Sequence, residues 1–288
     1  MQPLFEHRRR FGGFETRVLE LEGDGPPLVL LHGFADSADT WRVVLDRLGR
    51  VDRPAVAVDL PGFATAGRLR DGKVLPQLDR FAAAVVSTVA AESGGEVVVS
   101  GNSLGGCVAL RAAQREDLPI AGVVPVAPAG LDMARWFFLV ERDPILRTLL
   151  ALPAPLPEAI VRQVVARAYR ALAFAHPGGI EPAIVDAFTN HHRDRVTVKR
   201  YLETGRRLIS ELNDETCLRL DRVRCPVLVV WGKRDVMVAP SGAERIVAAL
   251  PGTEIELIEG CGHCPQIEAA DRVAGVLAGF PEPLAQAA

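Results

Sequence analysis

A serine, an aspartate and a histidine lie in the three stretches of this sequence that could carry nucleophilic chemistry. Ser103 is at the centre of the G-x-S-x-G pattern "GNSLG", Asp235 follows the apolar run "VLVVWG" closely, and His263 lies in the glycine-rich stretch "EGCGHC". A serine hydroxyl is a weak nucleophile at neutral pH, so it needs a histidine as general base and a carboxylate that orients the histidine. These residue types, in the order Ser, Asp, His, therefore predict acyl transfer through Ser103.

The surroundings of Ser103 predict a sharp turn between a strand and a helix. Residues 97–99 are three valines, which is typical of a buried strand, and a stretch rich in Ala and Leu begins at Leu104. A serine at such a turn takes a strained backbone conformation and needs small neighbours, which Gly101 and Gly105 provide. Its hydroxyl then lies at a helix N-terminus, where backbone N–H groups stabilise negative charge.

Two backbone N–H groups are the candidates for an oxyanion hole. The first belongs to Leu104, the residue after the nucleophile, and the second is expected from the loop after an early strand. The run "LVLLHGFADS" has His32, Gly33 and Phe34 in that loop, and the N–H of Phe34 is the predicted second donor. His32 directly follows the strand, so a structural hydrogen bond within the loop is favoured over a role as the base.

The identity of the acid is a choice that the sequence leaves open. Asp235 follows the strand-like run "VLVVWG", and Asp132 follows another such run, "VVPVAPAG". The carboxylate must accept a hydrogen bond from the Nδ1–H of His263, and only one of the two can occupy that position. The position after "VVWGKR" favours Asp235, with Asp132 as the alternative.

Apolar runs alternate with helical stretches along most of the chain. Most of the runs contain consecutive valines, which is typical of strands buried on both faces of a parallel sheet. The expected strands lie within 26–33, 53–62, 95–103, 120–130, 225–232 and 253–260, and the expected helices within 76–93, 103–115, 240–250 and 267–279. This alternation predicts βαβ units and an α/β fold. Residues 3–22 instead contain alternating polarity, which predicts an antiparallel hairpin at the sheet edge.

The segment 131–215 interrupts this alternation. It has no convincing strand pattern, and its stretches 143–175 and 181–212 predict helices punctuated by proline. Helical insertions into an α/β sheet usually form a cap over the site. We therefore divide the chain into core residues 1–130, a helical cap at 131–215 and core residues 216–288. The candidates for an apolar pocket wall in the cap are Trp136, Phe137 and Phe138.

The composition argues against several other classes of protein. Of the 288 residues, 49% are hydrophobic and 24% charged, as in globular proteins, and the net charge of -3 gives no electrostatic basis for nucleic acid binding. No run reaches the ~18 apolar residues of a membrane span, and no export signal is visible. Five cysteines do not form a disulfide framework. The C-x-x-C of Cys261 and Cys264 lacks the further ligands that a zinc site needs, and the adjacent His191 and His192 would point about 100° apart on a helix. We expect a cytoplasmic protein without a metal.

Five motifs resemble those of the α/β-hydrolase superfamily in their order and spacing. They are "HGF", "DLPGF", "GNSLGG", "WGKRD" and "GCGHCPQIE". The resemblance covers residues 12–280 and is greatest to the cap-bearing branch of small esterases, carbon–carbon bond hydrolases and cofactor-free haloperoxidases. It implies a mostly parallel eight-stranded sheet with helices on both faces and a helical cap inserted after strand six. It also implies Ser103 as nucleophile, Asp235 as acid and His263 as base.

Two departures distinguish this chain from one part of that branch. The asparagine before the nucleophile, Asn102, is a feature in which this chain resembles the carbon–carbon hydrolases of aromatic degradation. Those enzymes usually have a tryptophan after the catalytic histidine and a Gly-Pro-Gly-rich loop after the HG, where this chain has Cys264 and "FADS". A serine at the nucleophile position, where haloalkane dehalogenases and epoxide hydrolases have aspartate, argues against those two activities.

The expected function is hydrolysis of a small or medium apolar carboxylic ester through an acyl-enzyme on Ser103. One alternative keeps the same triad and cleaves a carbon–carbon bond in a vinylogous diketone. The other is a ligand receptor on the same fold with slow turnover, because a fold does not fix a function. We expect no cofactor, a small apolar molecule as the partner, no nucleic acid and no membrane span, and we leave open a homodimer.

Overall fold

The computed structural model describes residues 2–131, 142, 144, 157–192, 194–214 and 216–281. Eight strands are found in these residues: β1 Leu4–Phe11, β2 Phe14–Leu21, β3 Leu28–Leu31, β4 Ala55–Val58, β5 Val97–Asn102, β6 Ile120–Val126, β7 Leu228–Gly232 and β8 Glu254–Ile258. They form one sheet in the order β1-β2-β4-β3-β5-β6-β7-β8. The predicted α/β fold with a mostly parallel eight-stranded sheet is confirmed.

The hairpin expected at the sheet edge is formed by β1 and β2. Their antiparallel register runs from the pair Leu4 and Leu21 to the pair Phe11 and Phe14. β2 also pairs antiparallel with β4, whereas the pairs from β4 to β8 are parallel. The carboxyl ends of the strands that precede Ser103, Asp235 and His263 therefore lie at one edge of the sheet, where sites in open α/β sheets form.

Successive side chains of the central strands enter two separate cores. Leu28 and Leu30 of β3 pack on one face of the sheet, and Val29 and Leu31 pack on the other, because side chains alternate between the faces of a strand. Helices cover both faces, so consecutive positions are apolar. Helices α1 (Arg42–Arg50) and α9 (Ala270–Gly279) cover the first face, and α2 (Leu75–Ser93), α3 (Leu104–Ala113) and α7 (Ser241–Ala249) cover the second.

Three long helices lie between β6 and β7 in the described residues. They are α4 Glu158–Ala173, α5 Pro182–Thr189 and α6 Arg195–Leu212, as the sequence predicts for this segment, and a short helix α8 (Pro265–Glu268) follows β8. α5 begins with Pro182, where the missing N–H costs no hydrogen bond. The side chain of Asp194 caps α6 by accepting from the N–H of Thr197 at 2.7 Å.

These helices contact loops at the carboxyl edge of the sheet. The Tyr201 hydroxyl accepts from the N–H of Ala64 at 3.2 Å, and the carbonyl of Ala173 accepts from the N–H of His263 at 2.8 Å. α5 also packs on the 3₁₀ helix Ala38–Trp41. The helical segment therefore contacts the His263 loop, the segment after β3 that also carries Phe34, and the loop after β4. The division at 131 and 215 stays a prediction.

The sequence did not predict α1, which begins directly after the 3₁₀ helix. Its buried residues, Val44, Leu45 and Leu48, follow the spacing of an amphipathic helix, but the segment is short and has no clear capping residue of its own. In the described residues, no helix is both long and apolar enough to cross a membrane.

We expect Gly105→Ala to destabilise the fold, because its new methyl group would lie 2.3 Å from the carbonyl oxygen of Leu31. The opposing atom is backbone, so the strand or the helix must shift, at a cost of about 1–3 kcal/mol or more. Gly95→Ala is the matched control, since nothing lies within 4 Å of its added methyl group. Denaturant unfolding of both variants measures the difference. Equal stability of the two would contradict the packing described for this turn.

Candidate active site

Ser103 lies on a strained turn between β5 and α3. Its φ of 53° and ψ of -114° are rare for a residue with a side chain. The turn is held on both sides, because the N–H of Ser103 donates to Val126 at 2.9 Å and its carbonyl accepts from Cys107 and Ala129, each at 3.0 Å. A methyl group on Gly101 would lie 2.3 Å from the carbonyl of Gly105. The small residues on both sides of Ser103 are therefore required by close backbone contact, as the sequence predicts.

Asp235 and His263 are joined by a buried hydrogen bond. The Nδ1 of His263 lies 2.7 Å from the Oδ2 of Asp235, and their side chains are 4% and 0% exposed. A carboxylate can only accept, so Nδ1 carries the proton and the Nε2 of a neutral ring is left with a lone pair. Of the two alternatives for the acid, Asp235 thus has the required contact with His263. Asp132 lies outside the described residues.

Four donors in all hold the carboxylate of Asp235. Oδ2 also accepts from the indole Nε1 of Trp231 at 3.1 Å, and Oδ1 accepts from the N–H groups of Met237 and Val238 at 2.8 and 3.0 Å. Hydrogen bonds to both oxygens fix the orientation of the carboxylate. The loop after β7 therefore presents one oxygen to His263 in a defined direction.

Asn102 connects the serine turn to the histidine loop. Its side-chain Nδ2 donates to the carbonyl of His263 at 2.9 Å and to that of Val126 at 3.3 Å. The Nε2 of His263 is buried and has no hydrogen-bond partner in the described ranges. A buried nitrogen without a hydrogen-bond partner destabilises the folded protein unless a bound group forms that hydrogen bond. A lone pair at this place suits a general base for a hydroxyl or a water.

The loop after β3 runs beside Ser103. A methyl group on Gly33 would lie 3.4 Å from the Cβ of Ser103 and 3.2 Å from the Oδ1 of Asn102. Leu104 is the first residue of α3, so its N–H has no partner within the helix. Both predicted oxyanion residues, Phe34 and Leu104, thus lie within one residue of this contact. Their role stays a prediction.

His32 and Asp59 hold loops and do not touch the proposed base. The Nε2 of His32 accepts from the N–H of Leu60 at 2.7 Å, so its Nδ1 donates to the carbonyl of Gly33, also at 2.7 Å. Burial lowers the pKa of His32 to about 4, and the ring is neutral at pH 7. Asp59 accepts from Ala38 N–H and from the hydroxyl of Thr65. His32 thus makes the structural loop hydrogen bond that the sequence predicts, and Asp59 likewise fixes loop backbone.

The pocket wall predicted at Trp136, Phe137 and Phe138 lies outside the described residues. A different set of rings lies between the loop after β3 and helices α4 to α6. Neighbouring ring centroids in this set are 3.6–5.6 Å apart, and the closest pair, Tyr169 and Phe188, is stacked. The chain of rings is Phe34, Phe63, Tyr201, His192, Phe188 and Tyr169. The sequence did not predict this role for Tyr169, Phe188, His192 and Tyr201, although all four lie in stretches where it predicts helices.

His192 belongs to this set as a packing residue. Its Nδ1 donates to the carbonyl of Phe188 at 3.2 Å, and burial lowers its pKa to about 4. In the described residues, no group of three His, Cys, Asp or Glu side chains could hold a metal ion. The cysteines on either side of the proposed base, Cys261 and Cys264, are buried free thiols, and burial raises the pKa of both.

A buried carboxyl lies in the loop after β3. The side chain of Asp36 is deeply buried and accepts from the N–H of Ser37 at 2.8 Å. Burial outweighs this bond and the hydrogen bond from Thr40, and it raises the pKa of Asp36 to about 7. The neighbouring charged groups act in opposite directions, since His191 lowers this pKa and Asp39 raises it. The loop therefore contains an acid that changes its charge near neutral pH.

Comparison with known proteins identifies the family. The model of the Alpha/beta hydrolase family matches residues 28–276, so the chain belongs to that family and is a hydrolase by membership. The predicted superfamily is confirmed. Human monoacylglycerol lipase ABHD6 is 27% identical over 266 residues, which cover 90% of this chain and 76% of that protein.

Two solved structures illustrate the range of chemistry on this fold. A membrane phospholipase A described as a bacterial virulence factor has a TM-score of 0.75 and 23% identity, and the match covers 94% of this chain and 84% of the other. A 2-hydroxy-6-oxo-6-phenylhexa-2,4-dienoate hydrolase from Rhodococcus has a TM-score of 0.71 and 22% identity, over 96% and 97% of the two chains. At this level of identity the structures establish the shared fold alone.

We expect Asp36→Asn to stabilise the protein at alkaline pH more than at acidic pH. The folded pKa of about 7 lies above the ~3.9 of an unfolded chain. The stability that this group contributes is therefore fully present below about pH 4 and is lost as the pH rises through about 7. The variant removes that loss, so its melting temperature should exceed the wild type's most at about pH 8.5, by less at about pH 5.5 and least at about pH 4.

Thermal unfolding across this pH range measures the effect. Asp221→Asn is the control, because Asp221 is an exposed acid paired with Arg219. A melting-temperature difference for Asp36→Asn that does not change with pH would contradict the shifted acid.

Proposed function

We propose that this hydrolase cleaves small or medium apolar carboxylic esters through a triad of Ser103, Asp235 and His263. The observation that carries the proposal is the pairing of His263 with Asp235. Nδ1 is held by the carboxylate at 2.7 Å, while the buried Nε2 has no partner in the described part of the chain. The strained turn at Ser103, tied to the histidine loop by Asn102, supplies a nucleophile at the same sheet edge.

The chemistry follows from these contacts. His263 takes the proton from Ser103 at Nε2, and Asp235 stabilises the imidazolium that forms. The serine oxygen attacks the ester carbonyl, and the N–H groups of Phe34 and Leu104 hold the oxyanion. The alcohol leaves with a proton from His263, and a water activated by His263 then releases the acid from the acyl-enzyme. In this proposal the reaction uses no metal and no organic cofactor.

The apolar character of the substrate is inferred from the rings near the site. Phe34 packs on Phe63 in the core, and Phe63 packs on Tyr201 of α6. Large rings on facing elements make a predominantly apolar wall, which favours an apolar acyl or alcohol group. The name of the relative that is 27% identical, a monoacylglycerol lipase, supports an ester. We retain 131–215 as the cap over this site and a cytoplasmic location as expectations.

Asn102 does not by itself favour the carbon–carbon hydrolase. Its side chain makes hydrogen bonds to the backbone of Val126 and His263, a joining role that either chemistry could use. Carbon–carbon cleavage and a slow receptor remain outcomes of the assay. A chain-length series of p-nitrophenyl esters, with a ring-fission diketone beside it, separates the three. Rapid turnover of esters supports the proposal, and turnover of the diketone alone supports the alternative enzyme. If neither substrate is turned over, the result supports the receptor.

We expect Ser103→Ala to remove nearly all esterase activity and to leave the melting temperature within a few degrees of the wild type. The variant loses the nucleophile, but a residual ~10³-fold catalysis over water could persist from the oxyanion hole and binding. Initial rates with p-nitrophenyl butyrate provide the measurement, and Ser210→Ala, on the exposed side of α6, is the matched control. Unchanged turnover in Ser103→Ala would remove this serine from the mechanism.

We expect Asp235→Asn to lower kcat by about 10⁴-fold, the effect of neutralising a triad acid. The amide can no longer fix the tautomer or stabilise the imidazolium of His263. Asp132→Asn is the informative comparison, since it neutralises the alternative acid, and it should change kcat less than about tenfold, or about 1.4 kcal/mol. A reversal of these two results would show that Asp132 is the acid.

A further inference from the structure

The carboxylate of Glu268 lies between the histidine loop and the end of cap helix α4. Its Oε2 accepts from the N–H of Gly262 at 2.6 Å, one residue before His263. Its Oε1 accepts from the N–H groups of Ala175 and His176 at 2.9 and 3.1 Å, which follow the C-terminus of α4. One side chain therefore holds backbone from the core with one oxygen and backbone from the cap segment with the other.

A second set of contacts brings the same two segments together. A methyl group on Gly262 would lie 2.7 Å from the N of Ala175 and 2.8 Å from the O of Ala173. The N–H of His263 also donates to the carbonyl of Ala173 at 2.8 Å. The backbone of the proposed base thus packs directly on the cap segment, with no side chain between them.

Glu268 acts on His263 through the loop and does not touch its ring. Both oxygens of the carboxylate receive backbone N–H groups, and its next contact is the thiol of Cys261 at 3.9 Å. The imidazole is instead held by Asp235 through Nδ1. Charge-assisted hydrogen bonds to backbone are stronger than neutral ones, so three of them on one side chain restrict the loop on both sides of the junction.

We propose that Glu268 is a positioning residue that couples the cap to the catalytic base by fixing Gly262 and the end of α4 as one unit. This inference rests on the proposed function, in which His263 must aim Nε2 at Ser103. Because one carboxylate holds both segments, the placement of the segment after α4 sets the placement of the backbone beside His263.

The test uses Glu268→Gln in the full chain. Glutamine keeps the length of the side chain but has one acceptor oxygen, so it can serve the histidine loop or the cap segment, and not both. We expect kcat for p-nitrophenyl butyrate to fall by roughly 10- to 100-fold, with a smaller change in KM, because small misplacements of catalytic groups have effects of this size. Glu256→Gln on β8 is the matched control. It breaks the ion pair between Glu256 and Arg272 of α9 and should retain wild-type kcat.

Two further measurements separate positioning from mere stability. The first is the rate at which a serine-directed phosphonate inactivates the enzyme, which should fall in parallel with kcat. The second is the low-field proton resonance of the Nδ1–H of His263, recorded well below the melting temperature, which should shift or broaden in Glu268→Gln. This resonance needs no turnover, so it tests the coupling even if Ser103→Ala shows that the proposed mechanism is wrong.

A folded Glu268→Gln protein with wild-type kcat, inactivation rate and low-field resonance would overturn the proposal. If Glu268→Gln does not fold, Gly262→Ala replaces it, since that variant retains the carboxylate and forces the loop away from Ala173 and Ala175. We expect the same loss of kcat and the same change of the resonance. Unchanged values in Gly262→Ala would also overturn the proposal.

Discussion

The helix that follows Ser103 begins in direct backbone contact with the strands beside it, and this contact constrains the rest of the candidate site. No room exists for a side chain at Gly101 or Gly105, each of which faces backbone atoms at 2.3 Å. Ser103 is left in a left-handed conformation that its neighbours enforce through three backbone hydrogen bonds. A strained residue persists only where its surroundings determine it in this way. The position of the hydroxyl is therefore a consequence of how closely α3 packs on β3 and β5.

The histidine is positioned by contacts from three directions. Asp235 holds its ring, Asn102 holds its carbonyl, and Ala173 of the cap helix accepts from its N–H. The first two contacts come from the core, and the third comes from the inserted segment. The placement of His263 therefore depends on both parts of the chain, whereas the described hydrogen bonds of the Ser103 backbone all come from the core. Through its contact with the His263 backbone, the inserted segment can affect the placement of His263 without supplying a reacting group itself.

The sequence predicted those parts of the molecule that have a strong local signal. Consecutive valines identified β5, alternating polarity identified the hairpin of β1 and β2, and G-x-S-x-G predicted the turn at Ser103. The contacts of Glu268 had no such signal, because two of its three partners are backbone groups about ninety residues away. The ring chain from Phe34 to Tyr169 was also hidden, since three helices and three loops contribute to it and no pattern in one of them indicates the others. Tertiary packing, rather than local propensity, determines these features.

The central claim is that Ser103 forms a covalent acyl intermediate, and rapid chemical quenching tests it most directly. The enzyme is mixed with p-nitrophenyl butyrate, quenched in acid during the first turnover, digested and measured by mass spectrometry. We expect a butyryl group on the peptide that contains Ser103. It should form at the rate of the p-nitrophenol burst and be absent from Ser103→Ala. A burst with the acyl group on another residue, or steady hydrolysis by Ser103→Ala at the wild-type rate, would contradict it.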